Sequence, residues 1–353
     1  MIRPVAAVAR LAPYVPPKGR EGGGLLLDFN ENTLGPSPAA LKALRRLPPG
    51  ELARYPELEP WRERFARRLG LPPQRLFLVP GTDEALAALV ACFGRPGTGV
   101  LYPVPTFGMY RFYADRAGLK RKEIPFGPDL AYPVAGILKA LEEKKGETSL
   151  LFLASPNNPT GSVLARRDLL RILARARDAI VAVDEAYIDF GGASALPLLR
   201  RFPNLVVLRT FSKAYGLAGL RVGFLAGNPR VVGILERAAS PYRVTTASLA
   251  AAEAALADRK NVRRYVRMIR AERARTEREL DRRGITTWPS AGNFLLFRPG
   301  SRSSRILKDL ARAGIRLRDR SADPGLAGCL RVTIGSRSQM DRFLKALDQV
   351  EVL

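Results

Sequence analysis

Short apolar runs alternate with helical patterns along the middle of the chain. The runs that resemble strands lie at residues 76–80, 150–154, 180–183 and 205–209, and helical patterns follow the first two at 85–94 and 166–177. Continuous apolar runs of this length are typical of strands buried on both faces. The alternation therefore predicts an α/β fold with a mainly parallel central sheet covered by helices.

The pattern changes toward both ends of the chain. Residues 1 to about 30 are rich in Pro and Gly, which predicts an extended arm. A long arginine-rich helix is predicted at 261–283, and strands at 291–299 and 329–336 indicate a smaller α+β domain. We predict three parts, namely an arm with part of the small domain (1–45), a large domain (46–238) and the rest of the small domain (239–353).

Polar residues follow four of the apolar runs. These polar clusters are residues 81–84, 155–161, 184–187 and 210–213. In an open α/β sheet, ligands bind in the crevice at the carboxyl ends of the strands. We therefore expect the four clusters to share one site.

Composition narrows the chemistry of that site. The 353 residues include no histidine, which excludes Ser-His-Asp hydrolysis, Cys-His proteases and histidine-ligated metals. Cys92 and Cys329 lie far apart and have no metal-ligand spacing, so we expect no metal site and interpret both as packing residues. The first residues contain arginine and prolines that interrupt any signal-peptide core, and we expect a cytoplasmic protein without a membrane span.

The formal net charge is +25, from 58 basic and 33 acidic residues. Such an excess suggests a polyanion partner. Much of the arginine, however, lies off the apolar face of the predicted helix 261–283, and no basic stretch alternates with aromatic residues. A solvated arginine-rich surface is therefore favoured over specific nucleic-acid binding.

The groups at the four strand ends can perform one kind of chemistry together. Backbone N–H groups at Gly81 to Asp83 open a helix and suit a phosphate, to which Ser212 and Arg221 can add a hydroxyl and a guanidinium. Asp184 at a buried strand end needs a cation, and Lys213 near other cations can become a nucleophilic amine. A phosphate cradle, a carboxylate for a ring nitrogen and a lysine amine describe a pyridoxal phosphate site.

Each motif has an ordinary alternative when it is taken alone. A serine–lysine pair is most often on the surface, residues 81–84 make a good helix cap, and residues 157–161 are typical of a turn. These alternatives explain poorly why the motifs occur together, in this order, at successive strand ends.

Segments over nearly the whole chain resemble the fold-type I aminotransferases, and within them the histidinol-phosphate aminotransferases most closely. The segments are residues 27–38, 54–57, 79–86, 103–110, 155–161, 183–190, 209–224, 291–299 and 330–336. Within 103–110, Phe107 stands where this family often has tyrosine, and the chain departs from the family pattern after residue 336.

The resemblance implies the cofactor site of that family, with pyridoxal phosphate bound. Lys213 would form the Schiff base and Asp184 would pair with the pyridinium nitrogen. Tyr187 and Asn158 would bind the phenolic oxygen, and Phe107 would stack on the ring. The cofactor phosphate would be held by backbone at Gly81, Thr82 and Asp83, and by Thr210, Ser212 and Arg221.

The resemblance also implies a homodimer and a substrate site. Tyr55 would reach the cofactor phosphate of the other subunit. Arg331 would bind the substrate carboxylate in a bidentate manner, whereas Arg318 and Tyr14 would favour the substrate phosphate. Arg316 and Arg320 flank Arg318 and could take its place.

The implied reaction is transamination between histidinol phosphate and 2-oxoglutarate, which gives imidazole-acetol phosphate and glutamate in histidine biosynthesis. Two alternatives within the fold are a decarboxylase of the threonine-phosphate type and an aromatic or other amino-acid aminotransferase. A third is a polyanion-binding protein with an inactive site. Intact Lys213, Asp184, Tyr187 and Arg221 argue against this last reading.

Overall fold

A computed structural model describes residues 5–11, 23–95, 97–143 and 146–351. The strands are β1 (Leu25–Leu26), β2 (Leu76–Val79), β3 (Gly99–Val104), β4 (Lys120–Pro125), β5 (Thr148–Ala154), β6 (Ile180–Asp184), β7 (Leu205–Thr210), β8 (Gly223–Ala226), β9 (Thr286–Thr287), β10 (Phe294–Arg298), β11 (Ile315–Arg316), β12 (Arg318–Asp319) and β13 (Leu330–Thr333). The helices are α1 (Ala6–Ala9), α2 (Pro38–Arg45), α3 (Pro49–Leu52), α4 (Leu58–Leu69), α5 (Thr82–Phe93), α6 (Met109–Arg116), α7 (Val134–Glu143), α8 (Arg166–Arg175), α9 (Pro229–Ala238), α10 (Thr246–Ala257), α11 (Arg259–Arg282), α12 (Ser303–Arg312) and α13 (Arg337–Glu351). Within these ranges no helix has the length and apolar character needed to cross a membrane.

The central sheet has seven strands in the order β2-β8-β7-β6-β5-β3-β4. Adjacent strands in this sheet run parallel, except that β8 runs antiparallel to both β2 and β7. All seven residues of β5 are buried, as a strand covered on both faces requires. The predicted α/β fold with a mainly parallel sheet is confirmed.

Side chains that alternate in direction along each central strand contribute to two separate apolar layers, one on each face of the sheet. Leu151 and Leu153 of β5 pack with α7 and α8 on one face, whereas Leu150 and Phe152 pack with α5 and α6 on the other. Because successive side chains of a strand point to opposite faces, one apolar run supplies both cores. This double covering leaves the strand ends as the accessible part of the sheet.

A smaller antiparallel sheet, in the order β12-β13-β10-β9, forms a separate core with α11 to α13. The strand β1, near the start of the described chain, pairs in parallel with β11 next to this sheet. The helix α10 instead packs against α2 and α4, within the core around the central sheet. The packing of α10 therefore extends this core to residue 257. The predicted division at residue 238 stays a prediction.

Candidate active site

The four predicted clusters meet around one cavity of about 760 Å³ at the carboxyl ends of the central strands. Residues from the smaller sheet close its other side. The predicted residues that line it are Thr82, Asp83, Phe107, Asn158, Asp184, Tyr187, Thr210, Ser212, Lys213, Arg221, Arg318 and Arg331. The geometry thus brings together side chains that are up to 249 positions apart in the chain, from Thr82 to Arg331.

The start of α5 forms an anion site with Arg221. Gly81 caps this twelve-residue helix with a positive φ of 89°. A Cβ atom at this position would lie 2.7 Å from Arg221 Nη2, so only glycine allows the guanidinium to approach the helix. Arg221 Nη2 contacts Asp83 Oδ2 at 3.1 Å, and Arg221 Nη1 donates to Ser212 Oγ at 3.5 Å.

The hydroxyl groups beside Arg221 complete this anion site. Thr210 Oγ1 donates to Ser212 Oγ at 2.9 Å and accepts from the Ser212 N–H at 3.1 Å. Backbone N–H groups at a helix start and a nearby guanidinium are the usual ligands of a phosphate dianion. The arrangement can therefore hold a phosphate between α5 and the end of β7.

Asp184 is a buried carboxylate at the end of β6. Its Oδ2 accepts from the Tyr110 hydroxyl at 3.0 Å, and its Oδ1 accepts from the Ala186 N–H at 3.0 Å. Burial raises the pKa of Asp184 to about 6, although both hydrogen bonds act to lower it. No salt bridge to Asp184 forms within the described chain. A cationic ring nitrogen in the cavity would supply the missing charge.

Lys213 extends into the cavity from the turn after β7. Its Nζ donates to the Phe29 carbonyl oxygen at 2.8 Å and lies 5.6 Å from the centre of the Tyr187 ring. The amine therefore faces the cavity beside the Tyr187 ring. This position suits a covalent bond to a ligand carbonyl.

Tyr187 and Asn158 both line the cavity. Tyr187 is buried, packs edge-on against Phe294 and accepts a hydrogen bond from Asn30 Nδ2 at 3.0 Å. Asn158 lines the cavity, whereas its neighbour Asn157 is fully buried and bonds to Thr106 Oγ1 at 2.6 Å. Of the two asparagines, only Asn158 is placed to meet a ligand.

Phe107 lines the cavity wall at the start of α6. Its ring meets the Tyr110 ring edge-on at 5.8 Å. The ring has no hydroxyl to donate, so its contribution to a ligand would be a flat apolar surface.

The smaller sheet places three arginines at the cavity. Arg331 on β13 is buried, and its two terminal nitrogens donate to Asn158 Oδ1 and, at 2.5 Å, to the Asp28 carbonyl oxygen. Burial, together with the charges of Arg320 and Arg318, lowers the pKa of Arg331 to about 9, although Tyr187 and Asp28 act to raise it. A guanidinium this short of negative charge can bind an incoming anion strongly.

Arg318 and Arg320 differ in their partners. Arg318 lies over the Phe29 ring at 5.6 Å and forms no ion pair within the described chain. Arg320 pairs with Asp323, three residues later, and both side chains line the cavity. Arg318 and Arg320 thus both line the cavity, and which of them would bind the substrate phosphate stays a prediction.

Two predicted residues, Tyr55 and Tyr14, are not among those that line the cavity in the described part of the chain. Tyr55 is 76% exposed, is absent from the cavity wall of its own subunit, and stacks on Tyr242 with ring centres 4.4 Å apart. Tyr14 lies outside the described residues. Its role in phosphate binding stays a prediction.

Sequence reasoning missed three residues of the site. These are Asn30, Tyr110 and Asp323. Asn30 lies in the motif 27–38 and Tyr110 in the motif 103–110. These motifs indicated that the segments matter but did not indicate what either residue does. The partners of Asn30 and Tyr110 are 157 and 74 positions away, so only the fold identifies them.

Comparison with known proteins agrees with this geometry. The family model described as aminotransferase class I and II matches residues 23–347. Histidinol-phosphate aminotransferase of Roseiflexus castenholzii is 40% identical over 334 residues, covering 92% of this chain and 89% of the relative. The enzyme of the same name from Yersinia pseudotuberculosis serotype O:3 is 37% identical over 352 residues, covering 97% and 89%.

A solved structure is similar over almost the full length. It is histidinol-phosphate aminotransferase from Sinorhizobium meliloti in complex with pyridoxal-5'-phosphate, with a TM-score of 0.89 and 28% identity. The alignment covers 99% of this chain and 98% of that one.

Proposed function

The chain belongs to the class I and II aminotransferases, and we propose that it uses pyridoxal phosphate to exchange an amino group between histidinol phosphate and 2-oxoglutarate. The products would be imidazole-acetol phosphate and glutamate. The observation that carries the proposal is one cavity that combines the Lys213 amine, the Asp184 carboxylate and the anion site at Arg221. The names of the relatives support the choice of substrate.

The residues of the cavity fit the proposed cofactor. The start of α5, Ser212 and Arg221 would hold its phosphate, and Asp184 would meet its ring nitrogen. Phe107 would cover the ring, while Tyr187 and Asn158 would bind its phenolic oxygen. When bound, pyridoxal phosphate supplies an electron sink for the charge that develops at the substrate Cα.

Lys213 would move the proton in each half of the reaction. Its amine lies at the cavity with the Phe29 carbonyl as its acceptor at 2.8 Å, a contact that restricts where Nζ can go. From this position Nζ would take the proton from the substrate Cα and return it to the C4′ atom of the cofactor, as base and then as acid. Asp184, kept charged by the ring nitrogen, would favour that transfer.

The three arginines would bind the two kinds of substrate. Arg331 would hold the carboxylate of glutamate or 2-oxoglutarate through its terminal nitrogens. Arg318 would attract the phosphate of histidinol phosphate, since it has no ion-pair partner within the described chain. An excess of positive charge allows one site to accept either anion.

A homodimer completes the proposal. Tyr55 projects from the surface with Tyr242 and is absent from the cavity wall of its own subunit, which supports a role in a partner's site. We place the enzyme in the cytoplasm, in keeping with amino-acid biosynthesis.

Purified protein should be yellow, and borohydride should fix the cofactor on Lys213, as peptide mass analysis would reveal. A Lys213→Ala variant should retain the fold and lose this covalent label. Protein that stays colourless after cofactor is added would contradict the assignment.

The substrate is tested by supplying histidinol phosphate with 2-oxoglutarate and measuring glutamate. Carbon dioxide release from threonine phosphate would instead indicate a decarboxylase. Faster turnover of phenylalanine or tyrosine would indicate an aromatic aminotransferase.

A further inference from the structure

One short segment, residues 28–30, contacts three functional side chains of the site. The Asp28 carbonyl accepts from Arg331 and the Phe29 carbonyl accepts from Lys213. The third contact involves a side chain, since Asn30 Nδ2 donates to the Tyr187 hydroxyl. Asn30 is therefore the point at which mutation can change the chemistry of this segment.

Asn30 is fixed in an uncommon conformation. It is fully buried with a φ of 53°, a left-handed region that asparagine tolerates better than most residues. Its N–H donates to Thr333 Oγ1 at 2.9 Å, and its carbonyl accepts from Asn293 Nδ2 at 3.1 Å. The Thr333 hydroxyl lies 3.4 Å from Asn30 Oδ1 and donates to it. These contacts turn the amide oxygen toward Thr333 and the amide nitrogen toward Tyr187.

The direction of the bond between Asn30 and Tyr187 decides what the hydroxyl can do. A tyrosine hydroxyl has one proton to donate, and an amide nitrogen can only donate. The Tyr187 oxygen must therefore accept from Asn30, and its own proton stays free for another acceptor. Tyr187 lines the cavity beside Lys213, so a ligand oxygen there can receive that proton.

We propose that Asn30 is a positioning residue that keeps the Tyr187 hydroxyl a hydrogen-bond donor toward the phenolic oxygen of the bound cofactor. The inference rests on the proposed function for the identity of that cofactor. A donor at this oxygen stabilises its ionised form and so sets the pH at which the bound cofactor changes colour. A carboxylate in place of the amide would reverse the bond and take the hydroxyl proton away.

The decisive variant is Asn30→Asp, which has the same shape and tolerates the same φ. We expect the pH midpoint of the cofactor's absorbance change to rise by about 1 to 2 units, the effect of losing one hydrogen bond to a charged oxygen. Tyr187→Phe should raise the midpoint by a similar amount. In the Tyr187→Phe background, Asn30→Asp should add clearly less than it does in the natural protein, because no donated proton remains to be lost.

Asn30→Gly is the charge-free companion, and glycine adopts the required φ without strain. It should raise the midpoint by a smaller amount, and this rise should disappear in the Tyr187→Phe background. An unchanged midpoint in Asn30→Asp would mean that Tyr187 donates to Asn30, and fully additive shifts would mean that the two residues act separately. Either result overturns the inference.

The proposed function and the role of Asn30 would be overturned by different results. Natural protein that forms no chromophore and no borohydride label on Lys213 overturns the proposed function, and this inference falls with it. A normal chromophore with additive or absent shifts overturns only the role of Asn30.

Discussion

The two sides of the cavity are built in different ways. The cofactor side consists of residues that follow β2, β3, β5, β6 and β7, most of them within a few positions of an apolar run, together with Arg221, which precedes β8. The substrate side consists of arginines on or next to β12 and β13, held against residues 28–30 by contacts such as that between Asp28 and Arg331, 303 positions apart. Local sequence motifs therefore define the first side, whereas the second depends on how distant segments pack.

The strongest test of the cofactor side is Lys213→Ala. We expect transamination to fall by about 10⁴-fold, because the proposed covalent group and the proton carrier are lost together. Steady-state rates of glutamate formation measure the effect. Lys213→Arg keeps the charge and should be almost equally inactive, whereas activity near the natural level in either variant would rule out Lys213 as the reacting amine.

The contrast between the two sides also explains what could be predicted from sequence. The parallel sheet follows from apolar runs buried on both faces, and the position of polar clusters after those runs follows from the geometry of such sheets. The sequence alone therefore predicts that Lys213 and Asp184 belong to one site. Their chemical roles remain predictions.

The contacts that orient these groups could not be predicted in the same way. The bond from Tyr110 to Asp184 and that from Asn30 to Tyr187 join residues on different elements. A sequence gives no distance between such residues, and a buried polar side chain has many possible partners. The pairing of Arg320 with Asp323 is local, but its placement at the cavity depends on the packing of the smaller sheet.

On the substrate side the largest effect is expected from Arg331→Gln. Loss of the buried guanidinium that would pair with the substrate carboxylate should reduce kcat/KM for both substrates by about 10³-fold. The absorbance of the bound cofactor should also shift, because Arg331 donates to Asn158, the residue that would bind the cofactor's phenolic oxygen. Arg316→Gln is the matched control, since Arg316 is absent from the cavity wall and should retain near-natural kinetics. Equal losses in both variants would indicate a general effect of charge.

The buried Asp184 predicts a pH effect on the stability of the protein without cofactor. Burial raises the pKa of Asp184 from 3.8 to about 6, so the folded state keeps this proton to a higher pH than the unfolded state does. The free energy of unfolding should therefore fall as pH rises from about 4 to about 6, by up to about 3 kcal/mol from this group.

Asp184→Asn isolates this contribution. Denaturant titrations at fixed protein concentration should give a difference between variant and natural protein that grows over the same pH range. Glu185 and the other buried acids are common to both and cancel in the difference. Cofactor should reduce the difference, because its ring nitrogen supplies a positive charge. A difference that is constant with pH would show that Asp184 titrates near its ordinary value.

The smallest expected effect concerns Asp323, whose carboxylate offsets the positive charge of the substrate side. Burial raises the pKa of Asp323, while Arg320, Arg331 and Arg318 lower it, so the charge of this group is coupled to all three arginines. Asp323→Asn removes one negative charge and should tighten inhibition by inorganic phosphate by about three- to tenfold, the scale of one charge at close range in a medium with the dielectric constant of water. Arg320→Gln should weaken the same inhibition, because it removes a positive charge at the other end of the ion pair. Opposite shifts in the two variants would mean that net charge governs anion binding on this side. Shifts of the same sign would mean that the ion pair matters through the geometry it imposes, and that the substrate side, like the cofactor side, depends on exact placement of its groups.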